Sequence, residues 1–582
     1  MIKISDIDIK SIKGFPDKAS LQIRNNQIYV IRRSYYYDKN AKRGKETRDY
    51  IGRVVDNQFY SMEDYHAKFK RNGGRRVPKV EVPATETVQS TPINSGAKSH
   101  GYGSYRLGCT LIFNASATET ALYSDLTSVF GKEVAATITS LAFFMLCQGE
   151  NAMYNYNDWH MDYTLPFNGD ISSKDCSAFL SDLGQICQQN GKMYDFFKLR
   201  LSKISEDEFL SVDGTYLTTE SSSSFTEIGK SKKGTYGNQI GFSLILGHDT
   251  GVPVMFRVLP GNLHDISTVP EFIRKIKSLS SATLAGSALD RGFFSEKVIA
   301  EGLKNNLNLM ICCCTSDKWI ASLIREHLDE LNDLKNYMPD FDCTGIVLKV
   351  TRDFDDYADG TVYVALYKNA TNADRSTNEF MHELNRFKVH WELKDQALLK
   401  EKSLMKYFII EDKQNPGSKI EFNIEKIRQH CATFGVYGTV ALVEQTKEYY
   451  HRNYERRDII EKTFKGCKTE FDFDVIRAHN DNTLMGRMMV SFVAMTIMND
   501  IKNRMHNRNV ITQQNGKVRV EDTVAEEYSF KGLLRKFKAV RLLQTGSNYC
   551  ISELTKGMQD ILRKLGFEKY ASELPTYTDR TI

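Results

Sequence analysis

No C-x-x-C pair occurs among the eleven cysteines of this 582-residue chain, their number is odd, and three of them, Cys312, Cys313 and Cys314, are adjacent. That excludes a disulfide framework and a thiolate zinc site, and the thiols are expected to be reduced and mostly buried. Long hydrophobic runs are missing too. The longest, around residues 141–147 and 488–498, fall short of the roughly 18–20 apolar residues a membrane span takes, so no membrane partner is expected. The opening stretch MIKISDIDIK has no apolar core ahead of a small-residue cleavage site, which predicts no secretory signal and a cytoplasmic protein. Internal repeats and long low-complexity segments are absent. Charge of one sign is scarce: 78 Lys and Arg stand against 73 Asp and Glu, and a net of +5 says little about partners.

The composition, 41% apolar and 26% charged, is that of a globular protein, at a length that predicts two to four domains. The charge is unevenly spread. Residues 1–80 hold 19 Lys and Arg against 9 Asp and Glu, leaving the rest net negative. Such an excess suits a phosphate backbone, and equally a solvated basic face. Residues 1–76 read as a basic β-containing module, with strand-like pieces LQIRNNQIYVIRRSYYY and DYIGRVV around the polar turn DKNAKRGKETR. Tyr35, Tyr36 and Tyr37 beside Arg32 and Arg33 could stack on bases or pack a strand. Residues 77–104, rich in Pro, Thr, Ser and Gly, read as a linker. Helical patterns such as KEVAATITSLAFFML and SSKDCSAFLSDLGQICQQ, the latter with Ser172 and Ser173 at the N-cap place, predict a helical subdomain over 105–205.

Residues 206–315 change grammar. The run FLSVDGT is followed by a polar excursion, two strands joined by a His248-Asp249-Thr250-Gly251 turn, a helix after Pro260-Gly261-Asn262, the strand ATLAGSALD, a helix from Ser295 and the strand LNLMICCC. The order β-β-β-α-β-α-β predicts a mixed α/β sheet covered by helices. An α+β insertion is expected over 316–443, a return to two strong helices over 444–510, and a polar tail over 511–582.

Asp213 and Asp290 each end an apolar strand, so their carboxylates are expected at a sheet edge. Two carboxylates on neighbouring strands can share divalent cations with phosphate oxygens and water. For either alone, a strand-end turn or helix cap is the commoner role. On the helix expected around 450–470, Tyr454, Arg457, Glu461 and Lys468 fall within roughly a 60° arc at 100° per residue. An acid flanked by cations suits metal-plus-phosphate chemistry, and an ordinary surface ion pair accounts for it too.

The spacing Tyr454-x2-Arg457-x3-Glu461-x6-Lys468 resembles the Y-(2)-R-(3)-E-(6)-K signature of bacterial insertion-sequence transposases of the DDE superfamily. VDGT and LDRGF at 289–293 look like that group's two aspartate motifs, and PGNLHD at 260–265 like an element between them. The resemblance covers about residues 205–500 and implies a ribonuclease H-like core (β-β-β-α-β-α-β-α) interrupted by the insertion. It implies that Asp213, Asp290 and Glu461 are the catalytic metal ligands, that Tyr454, Arg457 and Lys468 bind DNA phosphates, and that two divalent cations, Mg²⁺ or Mn²⁺, are used. In a two-metal scheme Asp213 would bridge both ions, Asp290 completing one site and Glu461 the other. The partners implied are DNA, as terminal inverted repeats and target, and a second copy in a homodimer or higher multimer, nucleoid-associated when bound. A nuclease without strand transfer and a catalytically silent transposase derivative are the alternatives. His264 and Asp265 also fit a turn and helix cap. Trp319 and Trp391, in the insertion, fit core packing, or the stacking on a flipped base used by related transposases with such insertions.

Overall fold

The computed structural model describes residues 9, 12–17, 19–24, 27–38, 43–55, 58–61, 64, 69–72, 75–78, 102–205, 208–230, 236–261, 274, 286–395, 402–456, 458–507, 510–512, 518–520, 522–572 and 577–582. It divides into two units, Met1–Lys98 and Ser99–Ile582. In the first, β1 (Ser20–Arg24), β2 (Gln27–Asp38), β3 (Arg43–Val55) and β4 (Gln58–Ser61) form an antiparallel meander. Leu21, Val30, Val54 and Ile12 fill its core. β3 begins inside the stretch expected as a turn, because Arg43 to Arg48 continue the ladder opposite Asp38 to Arg33. A hairpin of β5 (Phe69–Asn72) and β6 (Arg75–Pro78) takes up the first residues of the expected linker. β7 (Tyr102–Arg106) takes up its last, and residues 79–101 lie outside those described.

Six helices follow in the second unit: α1 (Gly108–Glu119), α2 (Leu122–Phe130), α3 (Lys132–Gln148), α4 (Tyr156–His160), α5 (Ser173–Gln189) and α6 (Lys192–Leu201). Ser172 caps α5, its side chain accepting from the Asp175 amide.

The sheet is built around β8 (Phe209–Thr219). β10 (Tyr236–Gly247) pairs antiparallel with β8 and with β11 (Pro253–Pro260). On the other side β12 (Gly286–Leu289) runs parallel to β8, and β13 (Leu309–Cys312) parallel to β12 through α7 (Glu296–Lys304). β9 (Glu227–Lys230) arises within the polar excursion and pairs with β10. The helix expected after Asn262, with His264 and Asp265, falls outside the described residues. Alternation sorts the two faces. Leu210, Val212, Leu289 and Ile311 enter the main core, whereas Phe209, Ala288 and Met310 join a second cluster on the opposite face.

The insertion does not stand apart from this sheet. α8 (Lys318–Glu326) and α9 (Leu328–Asn332) lead to β14 (Tyr337–Met338) and the hairpin β15 (Cys343–Phe354) and β16 (Tyr357–Lys368). β19 (Val436–Ala441) pairs antiparallel with both β13 and β16, joining the hairpin to the core strands in one eleven-stranded sheet. Only α10 (Ala370–Glu392), β17 (Phe408–Ile410), β18 (Ile420–Phe422) and α11 (Ile424–Cys431) keep a small core of their own, centred on Leu384, Phe387 and Trp391.

Beyond it lie α12 (Lys447–Arg456), α13 (Asp458–Phe471) and α14 (Asp481–His506), with β20 (Val475–Ile476) pairing with β8. α14 is apolar and long enough to cross a bilayer, yet 94% of its apolar window is buried in the fold, as in a helix enclosed on all sides by protein. It approaches α5 closely through two glycines: a Cβ at Gly486 would sit 1.9 Å from the Leu180 carbonyl oxygen, and one at Gly184 1.8 Å from that of Asn482. The expected polar tail is folded. After the small hairpin β21 (Val510–Thr512) and β22 (Val518–Val520) come α15 (Val524–Glu527) and α16 (Phe530–Phe537). β23 (Arg541–Thr545) then pairs with β7 and with β24 (Asn548–Ile551), and α17 (Lys556–Lys564) and α18 (Glu568–Ser572) close the chain. Phe530, Leu533, Leu534 and Phe537 recur every three to four residues and are buried, a helical stripe inside a mostly polar segment.

Candidate active site

The register of β8 and β12 sets two carboxylates side by side. Leu289 lies opposite Val212 in a parallel pairing, so Asp290, the next residue, stands level with Asp213 on the adjacent strand. Asp213 is the fifth of eleven residues in β8, not its end as expected; it is β12 that stops there. Phe209, Ser211 and Asp213 share one face of β8 by the two-residue period, and Ala288 shares it on β12. The Gly214 amide donates to Asp213 Oδ1 at 2.7 Å, fixing that carboxylate against its own strand.

The third carboxylate arrives from α13. Ile460, Thr463, Phe464, Cys467 and Phe471 form its buried stripe, and Asn499 of α14 donates to Thr463 Oγ1 at 2.7 Å and to the Gly251 carbonyl at 3.0 Å. These contacts fix the rotation of the helix. Glu461, about 100° round from Ile460, is exposed and turns toward Asp213 and Asp290. Ser211, Asp213, Ala288, Asp290, Ile460 and Glu461 together line a narrow cleft of about 10 Å³, room for about one water.

All three acids named from the sequence therefore meet at one place. The donor set is oxygen only, which fits a hard cation such as Mg²⁺. Among the described residues no three His, Cys, Asp or Glu side chains are grouped tightly enough to hold an ion as they stand.

Of the other residues of the signature, Tyr454 and Lys468 do not line the cleft. The helix expected around 450–470 is helical on both sides of Arg457, which itself lies outside the described residues. Asp458 and Glu461 both lie on α13. Tyr454, in α12, packs against Tyr437 of β19 at 5.1 Å between ring centroids. Lys468 is held by Asp474, 3.0 Å away. Asp458, the rival acid on the same helix, pairs with Lys462 at 2.9 Å. Trp391 is buried in the insertion core and donates to the Ser418 carbonyl at 3.0 Å. Trp319 stacks between Phe294 and the Arg352 guanidinium.

Sequence reasoning passed over the polar pair beneath the acids. Ser211 Oγ lies 2.5 Å from Nδ1 of His248, a buried imidazole on the β10–β11 turn. Burial pushes the His248 pKa down to about 4, so the ring is neutral near pH 7. The only signal in the sequence was the turn itself, which reads as turn chemistry and nothing more.

No protein-family model matches the chain, and no curated protein matches it. Among solved structures, a piggyBac transposase synaptic complex with hairpin DNA is similar with a TM-score of 0.35 and 11% identity, over 81% of this chain and 87% of that one. A likeness this slight leaves the site to be read from its own geometry.

Proposed function

We propose that the chain is a DNA transposase of the DDE type, which cuts the ends of an insertion sequence and joins them to target DNA. The observation that carries this reading is the convergence of Asp213, Asp290 and Glu461, from two adjacent parallel strands and a packed helix, on one cleft. The strand order supports a ribonuclease H-like core, since three antiparallel strands are followed by two parallel ones. Asp213 and Asp290 would hold divalent cations from the sheet and Glu461 from the helix, with water and DNA phosphate oxygens completing the shells, as Mg²⁺ rarely takes more than one or two carboxylates each. Bound there, the cations would supply an activated water or 3′-hydroxyl and stabilise the leaving oxygen of an in-line displacement. The chain's own share is to hold three carboxylates on a rigid sheet and helix, with the Gly214 amide orienting one of them. The partners under this reading are terminal inverted repeats, target DNA and a second copy of the chain.

The test is cleavage and strand transfer on a duplex carrying the inverted repeats that flank the gene, with Mg²⁺ or Mn²⁺, with Ca²⁺ alone, and with chelator. Activity is expected only with the first two. Asp213→Ala and Asp290→Ala should abolish cleavage while DNA binding persists. Undiminished cutting in chelator, or by either variant, refutes the reading. Cutting without joining makes the chain a nuclease instead.

A further inference from the structure

A second cavity, of about 460 Å³, opens between the end of β7, the C-terminal end of α3 and α16. Four cationic side chains line it, Arg106, Lys531, Arg535 and Lys538, and no carboxylate does. Their grouping follows from the sequence of α16 and its exit. The apolar stripe of that helix turns inward, so Lys531, Arg535 and Lys538, at i, i+4 and i+7, are left on a common outer face. Like charges at that spacing repel, and a cavity that gathers them from two elements is at its lowest energy with an anion inside.

Two of the four are partly engaged. Lys531 donates to the Thr469 carbonyl at 3.0 Å and lies 3.8 Å from Glu470, which Lys502 also neutralises at 3.1 Å. Arg106 donates to the Tyr163 hydroxyl at 3.2 Å, while its buried Nε has no hydrogen-bond partner. Arg535 and Lys538 have no acidic partner among the described residues. The field is felt at the cavity wall: the Cys109 thiol is held below its ordinary pKa by a hydrogen bond from Cys147 and by the Arg106 and Lys538 charges, against the opposing effect of burial.

Position indicates which anion. Thr469 and Glu470, beside Lys531, lie eight and nine residues beyond Glu461 on α13, about 12–14 Å along the helix. At roughly 3.4 Å per nucleotide of strand, that is about four nucleotides. We propose that this cavity is a second DNA contact, a clamp for backbone phosphates of the strand that leads away from the acidic cleft. The proposal rests on the DNA-cutting reading above and adds to it a binding site that the catalytic motifs do not contain.

The test is made on the full chain carrying both Arg535→Gln and Lys538→Gln, titrated with a duplex of about 40 base pairs across a range of salt. Loss of two phosphate contacts should make the plot of log affinity against log salt less steep by about 1.8, and weaken binding about tenfold, with the melting temperature unchanged. The swapped pair Arg535→Lys and Lys538→Arg should restore both. An unchanged slope in the Gln variant, with wild-type binding intact, overturns the clamp and leaves the DNA-cutting reading standing. Failure of the wild type to bind or cut DNA overturns that reading and the clamp with it. A second measurement is local: alkylation of Cys109 by iodoacetamide, read by peptide mapping. The duplex should slow it at least fivefold in the wild type and not in the Gln variant, while 10 mM-scale inorganic phosphate should leave it unchanged. Protection by inorganic phosphate and not by duplex would make this a small-anion pocket and overturn the assignment.

Discussion

Glu461 and Asp458 compete for one role, and side-chain surroundings separate them where sequence spacing alone does not. Both lie on α13, three residues apart. Glu461 lines the cleft with Asp213 and Asp290, whereas Asp458 spends its charge on Lys462. Glu461→Gln is therefore expected to eliminate cleavage and strand transfer, and Asp458→Asn to leave both within about an order of magnitude, roughly 1.4 kcal/mol in barrier terms. Steady-state cleavage by the two variants checks it, and the reverse outcome would mean a rotated helix. His248 gives a second expectation at this scale. Its pKa of about 4 in the folded chain lies below the ordinary 6.5, so between those values the unfolded chain binds the extra proton. Stability is then full above about pH 6.5 and declines as pH falls toward 4, by up to about 3 kcal/mol from this ring. Denaturant titrations from pH 7 to 4 should show that loss, and His248→Gln should show less of it; an equally steep profile in the variant would assign the loss elsewhere.

Among the elements, Gly486 and Gly184 decide how near α14 comes to α5. A methyl group at Gly486 meets a backbone carbonyl that cannot swing aside, so Gly486→Ala should destabilise the second unit by about 2–3 kcal/mol. Gly557, on the exposed side of α17 with open space around its Cβ position, is the control: Gly557→Ala should be neutral or stabilise by about 0.5–1 kcal/mol. Thermal unfolding of both tests this, and a neutral Gly486→Ala would mean the helices part more easily than their packing implies. The same scale shows why some elements were legible in the sequence. β8, β10, β11 and β13 are buried apolar runs bounded by turn residues, and that pattern has few other readings. The folded C-terminal segment hides because its apolar residues come in short, scattered stripes and its strand β23 borrows β7, some 435 residues earlier, as a partner. Among the site residues, the strand and helix positions of the three acids were legible in the apolar runs and the helix pattern, while their meeting at one cleft depends on strand register and helix rotation that the runs do not specify. Tyr454 and Lys468, expected to bind phosphate, have side chains that answer to Tyr437 and Asp474, neighbours that spacing cannot reveal.

At the scale of the whole molecule, charge is segregated rather than abundant. Residues 1–80 carry 19 cations against 9 acids while the remainder is net negative, so the small overall charge conceals a basic segment and a net-acidic one. Counterion release makes such a segregation measurable, because each neutralised phosphate contributes about −0.9 to the salt slope of duplex binding. If only four of the N-terminal cations meet phosphates, deleting residues 1–98 should make the slope less steep by about 3.6 and weaken binding well over tenfold at 0.15 M salt. The second unit has its own core and sheet and should keep its melting temperature after the deletion. The Arg535 and Lys538 contacts lie in that unit, so the slope lost with the deletion and the slope lost with the Gln variant should add, as they do for sites that share no partner. A deletion that leaves the slope unchanged would show that the basic strands of the first unit face something other than the backbone of DNA.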